Sequence, residues 1–199
     1  LYRQQRRGGK GAKGMETREE DFVRHLGVAS THAYLLFFTN LGRLHWLKVH
    51  ELPQLGRAAK GKAIVNVLQL QTGELVQTML PVRSFDESGY VVLCTRKGVI
   101  KKTDLGAFSN PRRMGIIAIN LEAKDELIGA KLTDGKQMIF LASHEGQAIL
   151  FRETEVRPMG RNAGGVIGMD LGKGDYVVSM DTVTPDFGII EKEYKKKKK

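Results

Sequence analysis

Cysteine is almost missing from this chain of 199 residues: Cys94 stands alone. No disulfide can therefore join two parts of the sequence, and no thiolate-rich zinc site can form. Long apolar runs are missing as well, since none approaches the ~20 residues that span a bilayer. The basic N-terminal stretch has no apolar segment behind it and does not read as a secretory signal. His25, His32, His45, His50 and His144 are scattered without an H-E-x-x-H or similar spacing, so no metal-ligand pattern emerges. Aromatic residues make up only 7%, and Trp46 and most phenylalanines lie in apolar runs where core packing accounts for them. Strong helix signals are scarce too; residues 15–23 alone have the make-up of a short helix. A soluble, cytoplasmic chain with no membrane partner is the expectation, and 41% hydrophobic residues suffice for a real core.

What is present is glycine, 23 of them, and they keep time. Residues 35–39, 90–95 and 138–142 are apolar runs, each followed by a turn that holds Gly42, Gly98 or Gly146 and then by a second run. Two apolar runs about a glycine turn are a hairpin signature. Behind each hairpin comes a loop rich in Arg and Lys that ends at Gly61, Gly115 or Gly165. Strands are expected next at 63–70, 116–121 and 166–171, then an acidic turn, then strands at 75–80, 127–132 and 176–180. Four strands in roughly 50 residues is the spacing of a propeller-like blade. An irregular β-sandwich would not keep two glycine series in one phase. The fold class expected is all-β, with about three blades and a stub visible.

Charge follows the same period. The formal net charge of +10 comes from the two ends: five basic residues within 1–14 and the run Lys195 to Lys199, while residues 15–194 are neutral as a whole. Inside that neutral body each repeat pairs a basic first half with an acidic second half. The basic halves carry Arg43, Arg57, Lys60 and Lys62; then Arg96, Lys97, Lys101, Lys102, Arg112 and Arg113; then Arg152, Arg157 and Arg161. Stacked blades would align these into a positive stripe, the electrostatic footprint of a protein that binds a nucleic-acid backbone. Nothing in the stripe resembles base readout, and phosphate contacts position a duplex without reading it.

The sharpest local motif is Gln5, Arg6, Arg7, Gly8, Gly9, Lys10 and Gly11. Three cations alternate with glycines whose backbone can come close to phosphates. The spacing is not G-x-x-x-x-G-K-[ST], so nucleotide binding is not inferred. This heptad resembles the box that marks the C-terminal DNA-wrapping domain of the DNA gyrase A subunit, within the type IIA topoisomerases. The hairpin at 35–39, Trp46 to Lys48 and the loop from Gly56 to Gly61 are similar to the first blade of that domain, and the likeness runs to about residue 186.

The resemblance implies a β-pinwheel, a propeller-like disc whose basic outer rim wraps duplex DNA chirally so that ATP-driven strand passage introduces negative supercoils. It gives the box role to Gln5 through Gly11 and the rim role to the basic residues of the blade halves. It implies no catalytic, cofactor or metal site in this chain, with ATP and magnesium used elsewhere in the parent enzyme. The partners it implies are duplex DNA, the gyrase B subunit, plus the rest of the gyrase A subunit, in a bacterial cytoplasm at the nucleoid. The segments expected are a box segment at 1–20, blades at 21–186 and an atypical lysine-rich tail at 187–199. The family's disc usually has six blades, whereas about three are visible here, and an incomplete disc leaves unpaired strand edges. Two other readings stay open: the equivalent domain of topoisomerase IV, in which the box is degenerate or missing, and a protein-interaction propeller.

Overall fold

The computed structural model describes residues 6–11, 23, 25–56, 59–85, 88–110, 112 and 114–185. The segment at 187–199 and most of the expected helix at 15–23 lie outside them.

Each apolar run becomes a strand because it is covered on both faces. The first repeat supplies β1 (Tyr34–Thr39), β2 (Arg43–Lys48) and β3 (Val76–Val82). The second supplies β4 (Tyr90–Thr95), β5 (Val99–Asp104), the two-residue β6 (Ile116–Ile117) and β7 (Leu127–Thr133). The third supplies β8 (Met138–Ser143), β9 (Ala148–Arg152), the equally short β10 (Val166–Ile167) and β11 (Val177–Val183). All strand pairs are antiparallel. Among the described residues the only helical pieces are 3-10 turns, and no helix is long and apolar enough to cross a membrane.

The sheets do not coincide with the sequence repeats. Their orders are β3-β1-β2-β6, β7-β4-β5-β10 and β11-β8-β9. The outermost strand of the first sheet thus comes from the second repeat, and that of the second sheet from the third. The second and third repeats each hand one short strand back to their predecessor. At each handover the turn glycine takes two bonds. Gly42 O accepts the N–H groups of Ala118 and Ile119 at 2.8 and 3.2 Å, and Gly98 O accepts those of Gly168 and Met169 at the same distances. The expected strands at 116–121 and 166–171 are therefore two residues long. The expected strand at 63–70 does not form; Ile64–Asn66 is a 3-10 turn instead, and among the described residues no strand edge pairs with it.

β7 packs against both β3 and β11, so these strands converge on the inner side of the stack and the handed-over strands lie outermost. The alternation of side chains in the central strands sorts the core of the described residues into three clusters, one of them Leu35, Phe37 and Leu68 on the far face of the first sheet. Leu36 and Phe38 meet Val91, Leu93, Phe108 and Ile119 between the first and second sheets. Val92, Cys94 and Ile100 meet Ile139, Leu141 and Val177 between the second and third. Burying each such Leu, Ile or Phe stabilises by about 1.5–3 kcal/mol. A strand buried on both faces needs no polar alternation, which is why these runs are continuously apolar.

Candidate nucleic-acid interface

The acidic turns of the repeats do local work. Asp125 accepts the N–H groups of Lys97 and Glu126 at 3.0 and 2.8 Å, and Asp175 accepts those of Glu145 and Tyr176 at the same two distances. Each thus ties a hairpin turn to the turn of its own repeat. In the first repeat Glu74 takes this place, accepting from Gln71 N–H at 2.8 Å, from the Thr39 hydroxyl at 2.8 Å and facing His45 Nε2 at 3.0 Å. Burial raises the pKa of Glu74, but these hydrogen bonds outweigh it and hold the carboxyl below its ordinary value. The imidazole of His45 lies flat under Gly115, whose Cβ, if it had one, would meet the ring at 2.7 Å. None of this was visible in the spacing, although Gly115 itself marked the loop.

Of the outer arginines, Arg43 stays within ion-pair reach of one of these carboxylates. Arg43, the first residue of β2, keeps its Nε 4.0 Å from the inward-turned Glu74. Its Nη2 reaches Met114 O at 2.5 Å and Gly115 O at 3.3 Å, fixing the guanidinium beside the incoming β6. Arg112 comes from the loop before β6 and Arg161 from the loop before β10. The three arginines meet around an open cleft of about 360 Å³ floored by Gly115 to Ile117 and Asn162, and among the described residues no carboxylate lines it. Arg112 also borders a neighbouring cleft of about 510 Å³ between β2 and the segment at 65–69. Three residues far apart in sequence, two of them from loops of successive repeats, are thus brought together by the handover.

Lys101 and Lys102 do not belong to this surface, contrary to the expectation. They lie in β5 of the middle sheet, which is covered on both faces, and are 0% and 4% exposed. Lys101 Nζ donates to Ala118 O at 2.7 Å and to Arg161 O; burial and the nearby Arg161 charge pull its pKa down to about 8. Lys102 Nζ donates to Glu153 O at 2.9 Å, stands 3.9 Å from the Glu153 carboxylate and lies 5.0 Å from the centre of the Tyr90 ring. Both are braces between sheets.

The other expected residues divide. Arg96 is exposed, with its guanidinium 3.9 Å over the Tyr176 ring, and Tyr176 in turn stacks on His144 at 4.7 Å. Lys97 donates to Ala123 O at 2.8 Å and faces Glu122 at 3.7 Å. Lys60, Lys62, Arg152 and Arg157 lie at the surface. In the box, Arg6, Arg7, Gly8, Gly9, Lys10 and Gly11 are exposed, with a turn closed by Gly9 N–H on Arg6 O at 3.0 Å and left-handed backbone at Gly8 and Gly11. Gln5, Arg57 and Arg113 lie outside the described residues. Cys94 is buried, which pushes its thiol up to about 12 and leaves it protonated at neutral pH. Among the described residues no three His, Cys, Asp or Glu side chains gather as a metal site.

Known proteins share this pattern in sequence and in structure. The DNA gyrase A protein of Clostridium acetobutylicum is 48% identical over 167 residues, 84% of this chain and 20% of that protein. The chain therefore spans about a fifth of the length of the curated relatives it matches. The crystal structure of the C-terminal domain of DNA topoisomerase IV superposes with a TM-score of 0.73 at 37% identity, over 77% of this chain and 48% of that one. The DNA gyrase A C-terminal domain gives 0.64 at 27% identity, over 77% and 49%. A family model described as "DNA gyrase C-terminal domain, beta-propeller" matches residues 1–30, 33–83, 89–134 and 137–184. Repeat, fold and motif thus agree, and the chain belongs to the DNA gyrase C-terminal domain family.

Proposed function

We propose that this chain binds the backbone of duplex DNA along the outer edge of its stacked sheets and wraps it as a non-catalytic module of DNA gyrase. The observation that carries this reading is the meeting of Arg43, Arg112 and Arg161 about one open cleft whose described lining holds no acid. Guanidinium groups present planar forks of N–H donors that match phosphate oxygens two at a time. Arg43 is held by backbone carbonyls, so it loses little freedom on binding. Contacts of this kind are independent of base sequence. A curved basic edge that follows the backbone offsets the elastic cost of bending with added phosphate contacts. In this reading Arg6, Arg7 and Lys10 of the box complete the wrap. Strand cleavage and ATP use, with magnesium, fall to the gyrase B subunit together with the rest of the gyrase A subunit, in the bacterial cytoplasm. The structural likeness to the topoisomerase IV domain supports the same backbone-binding role there, while the full heptad from Gln5 to Gly11 favours gyrase.

Salt dependence tests the reading. Affinity for a mixed-sequence duplex, measured by fluorescence anisotropy, should fall with log[salt] at about −0.9 per phosphate contacted. Arg112→Ala with Arg161→Ala should reduce that slope by about 1.8 on every duplex tested. Binding that ignores salt would overturn it in favour of an apolar, protein-binding surface, as would a loss confined to one DNA sequence in favour of base readout.

A further inference from the structure

The second strand of each of the first two hairpins carries a buried polar residue at its third position, His45 in β2 and Lys101 in β5. Each lies against the loop that the following repeat brings in. His45 lies beneath Gly115, at the end of the loop that carries Arg112. Lys101, 0% exposed, donates from Nζ to Ala118 O at 2.7 Å and to Arg161 O. It therefore grips the loop at 160–165 by the carbonyl of the residue whose guanidinium borders the arginine cleft. Asn120, just past β6, clamps the same loop: its backbone N–H donates to Ala163 O at 3.2 Å and its side-chain amide to Asn162 O. Three consecutive carbonyls, at 161, 162 and 163, are thus held by groups of the second repeat. The loop then ends at Gly165, so close to β5 that a Cβ there would meet Ile100 O at 2.7 Å. Burying an amine beside the Arg161 charge costs free energy that an apolar side chain would not. What the amine adds is a fixed carbonyl at 161.

We propose that Lys101 and Asn120 are positioning residues for DNA binding: they fix the backbone at 161–163 so that Arg161 stands with Arg43 and Arg112 at one phosphate site. The inference rests on the reading of that cleft as a backbone-binding surface. Neither residue needs to touch DNA, since Lys101 is closed off from solvent and Asn120 spends its amide on Asn162 O. A guanidinium grips two phosphate oxygens only when its fork is aimed, and an arginine on a free loop would have to be ordered at each binding event. The loop of Arg112 is held in a similar way, because Arg43 Nη2 bonds Met114 O and Gly115 O at its end. Both loop arginines are thus set by bonds that the preceding repeat makes to carbonyl oxygens of their own loops.

Duplex affinity and its salt slope, read by fluorescence anisotropy on the 199-residue chain, test this through Arg161. Arg161→Ala alone should weaken binding about fivefold at about 0.15 M salt and lower the slope by about 0.9, the share of one phosphate contact. If it changes neither, the cleft is no phosphate site and the proposal falls with that reading. Asn120→Ala exchanges one neutral side chain for another at an exposed position, so it should melt like the native chain. It should nonetheless lower the salt slope toward that of Arg161→Ala, and change nothing further in an Arg161→Ala background. Lys101→Met, compared at temperatures where circular dichroism shows it folded, should do the same. A native salt slope in Asn120→Ala beside a lowered one in Arg161→Ala would overturn the positioning role while leaving the cleft as the binding surface. Losses that persist undiminished in the Arg161→Ala background would overturn it too, since Asn120 or Lys101 would then act on DNA or on the fold directly.

Discussion

Lys101 and Lys102 share a strand, point to opposite faces and are both buried, so their charge serves the fold. The ammonium of Lys102 and the carboxylate of Glu153 form a pair that water hardly reaches, and breaking such a pair by removing one partner costs about 3–5 kcal/mol. Lys102→Glu sets a second carboxylate there, and for a chain of this size it should lower the melting midpoint by about 6–20 °C. Circular dichroism melts decide this, and a variant that melts normally and loses only DNA affinity would return Lys102 to the surface. Lys101 makes a pH-dependent contribution whose sign is fixed by its lowered value of about 8. Between about pH 8 and 10.5 the unfolded chain holds the proton that the native side chain has released. This group therefore makes stability rise with pH across that window, by at most about 1.4 kcal/mol per unit. Comparing denaturant midpoints of the native chain and Lys101→Met at about pH 8 and about pH 10 isolates it; the native chain should gain more.

At the level of elements, the short handed-over strands join the sheets more than their two residues suggest. Gly98 and Gly146 have the same left-handed φ of +82, so a methyl group strains both backbones alike, by about 1–2 kcal/mol. Only at Gly98 does that methyl meet the backbone of the next repeat. Gly98→Ala should therefore destabilise by about 1–3 kcal/mol more than Gly146→Ala, measured by chemical denaturation. Equal losses would mean that the handover tolerates a gap. The same elements show where sequence reading stopped. Hairpins were legible because a glycine turn between apolar runs is a local signal, whereas residues 63–70 have strand-like composition and form no strand. Pairing requires an edge, and which edge is available is a property of neighbours distant in sequence.

For the whole molecule, the nearly neutral body becomes polar in its surface by sorting charge. Carboxylates at 74, 125 and 175 turn inward to cap turns, while arginines at 43, 112 and 161 gather at the outer edge. The exposed box adds Arg6, Arg7 and Lys10. Ligating nicked circular DNA in the presence of the chain, then resolving the topoisomers, reads chirality directly. A linking-number shift that scales with protein is expected. Replacing Arg6, Arg7 and Lys10 together by Ala should abolish the shift while most of the binding remains. Equal loss of both would reduce the box to plain charge.

Sequence alone determined the all-β class, the three hairpins, the period near 50 residues and the basic box, because each depends on side chains close together in the chain. It also placed Arg43, Arg112 and Arg161 among the candidates, since charge recurs with the repeat. Tertiary structure decided which candidates reach solvent. A lysine in the covered middle sheet, such as Lys101 or Lys102, is drawn inward to carbonyl oxygens that only neighbouring sheets supply. An arginine at the outer edge, such as Arg112, lies exposed. That difference is burial, and burial is a property of the stack.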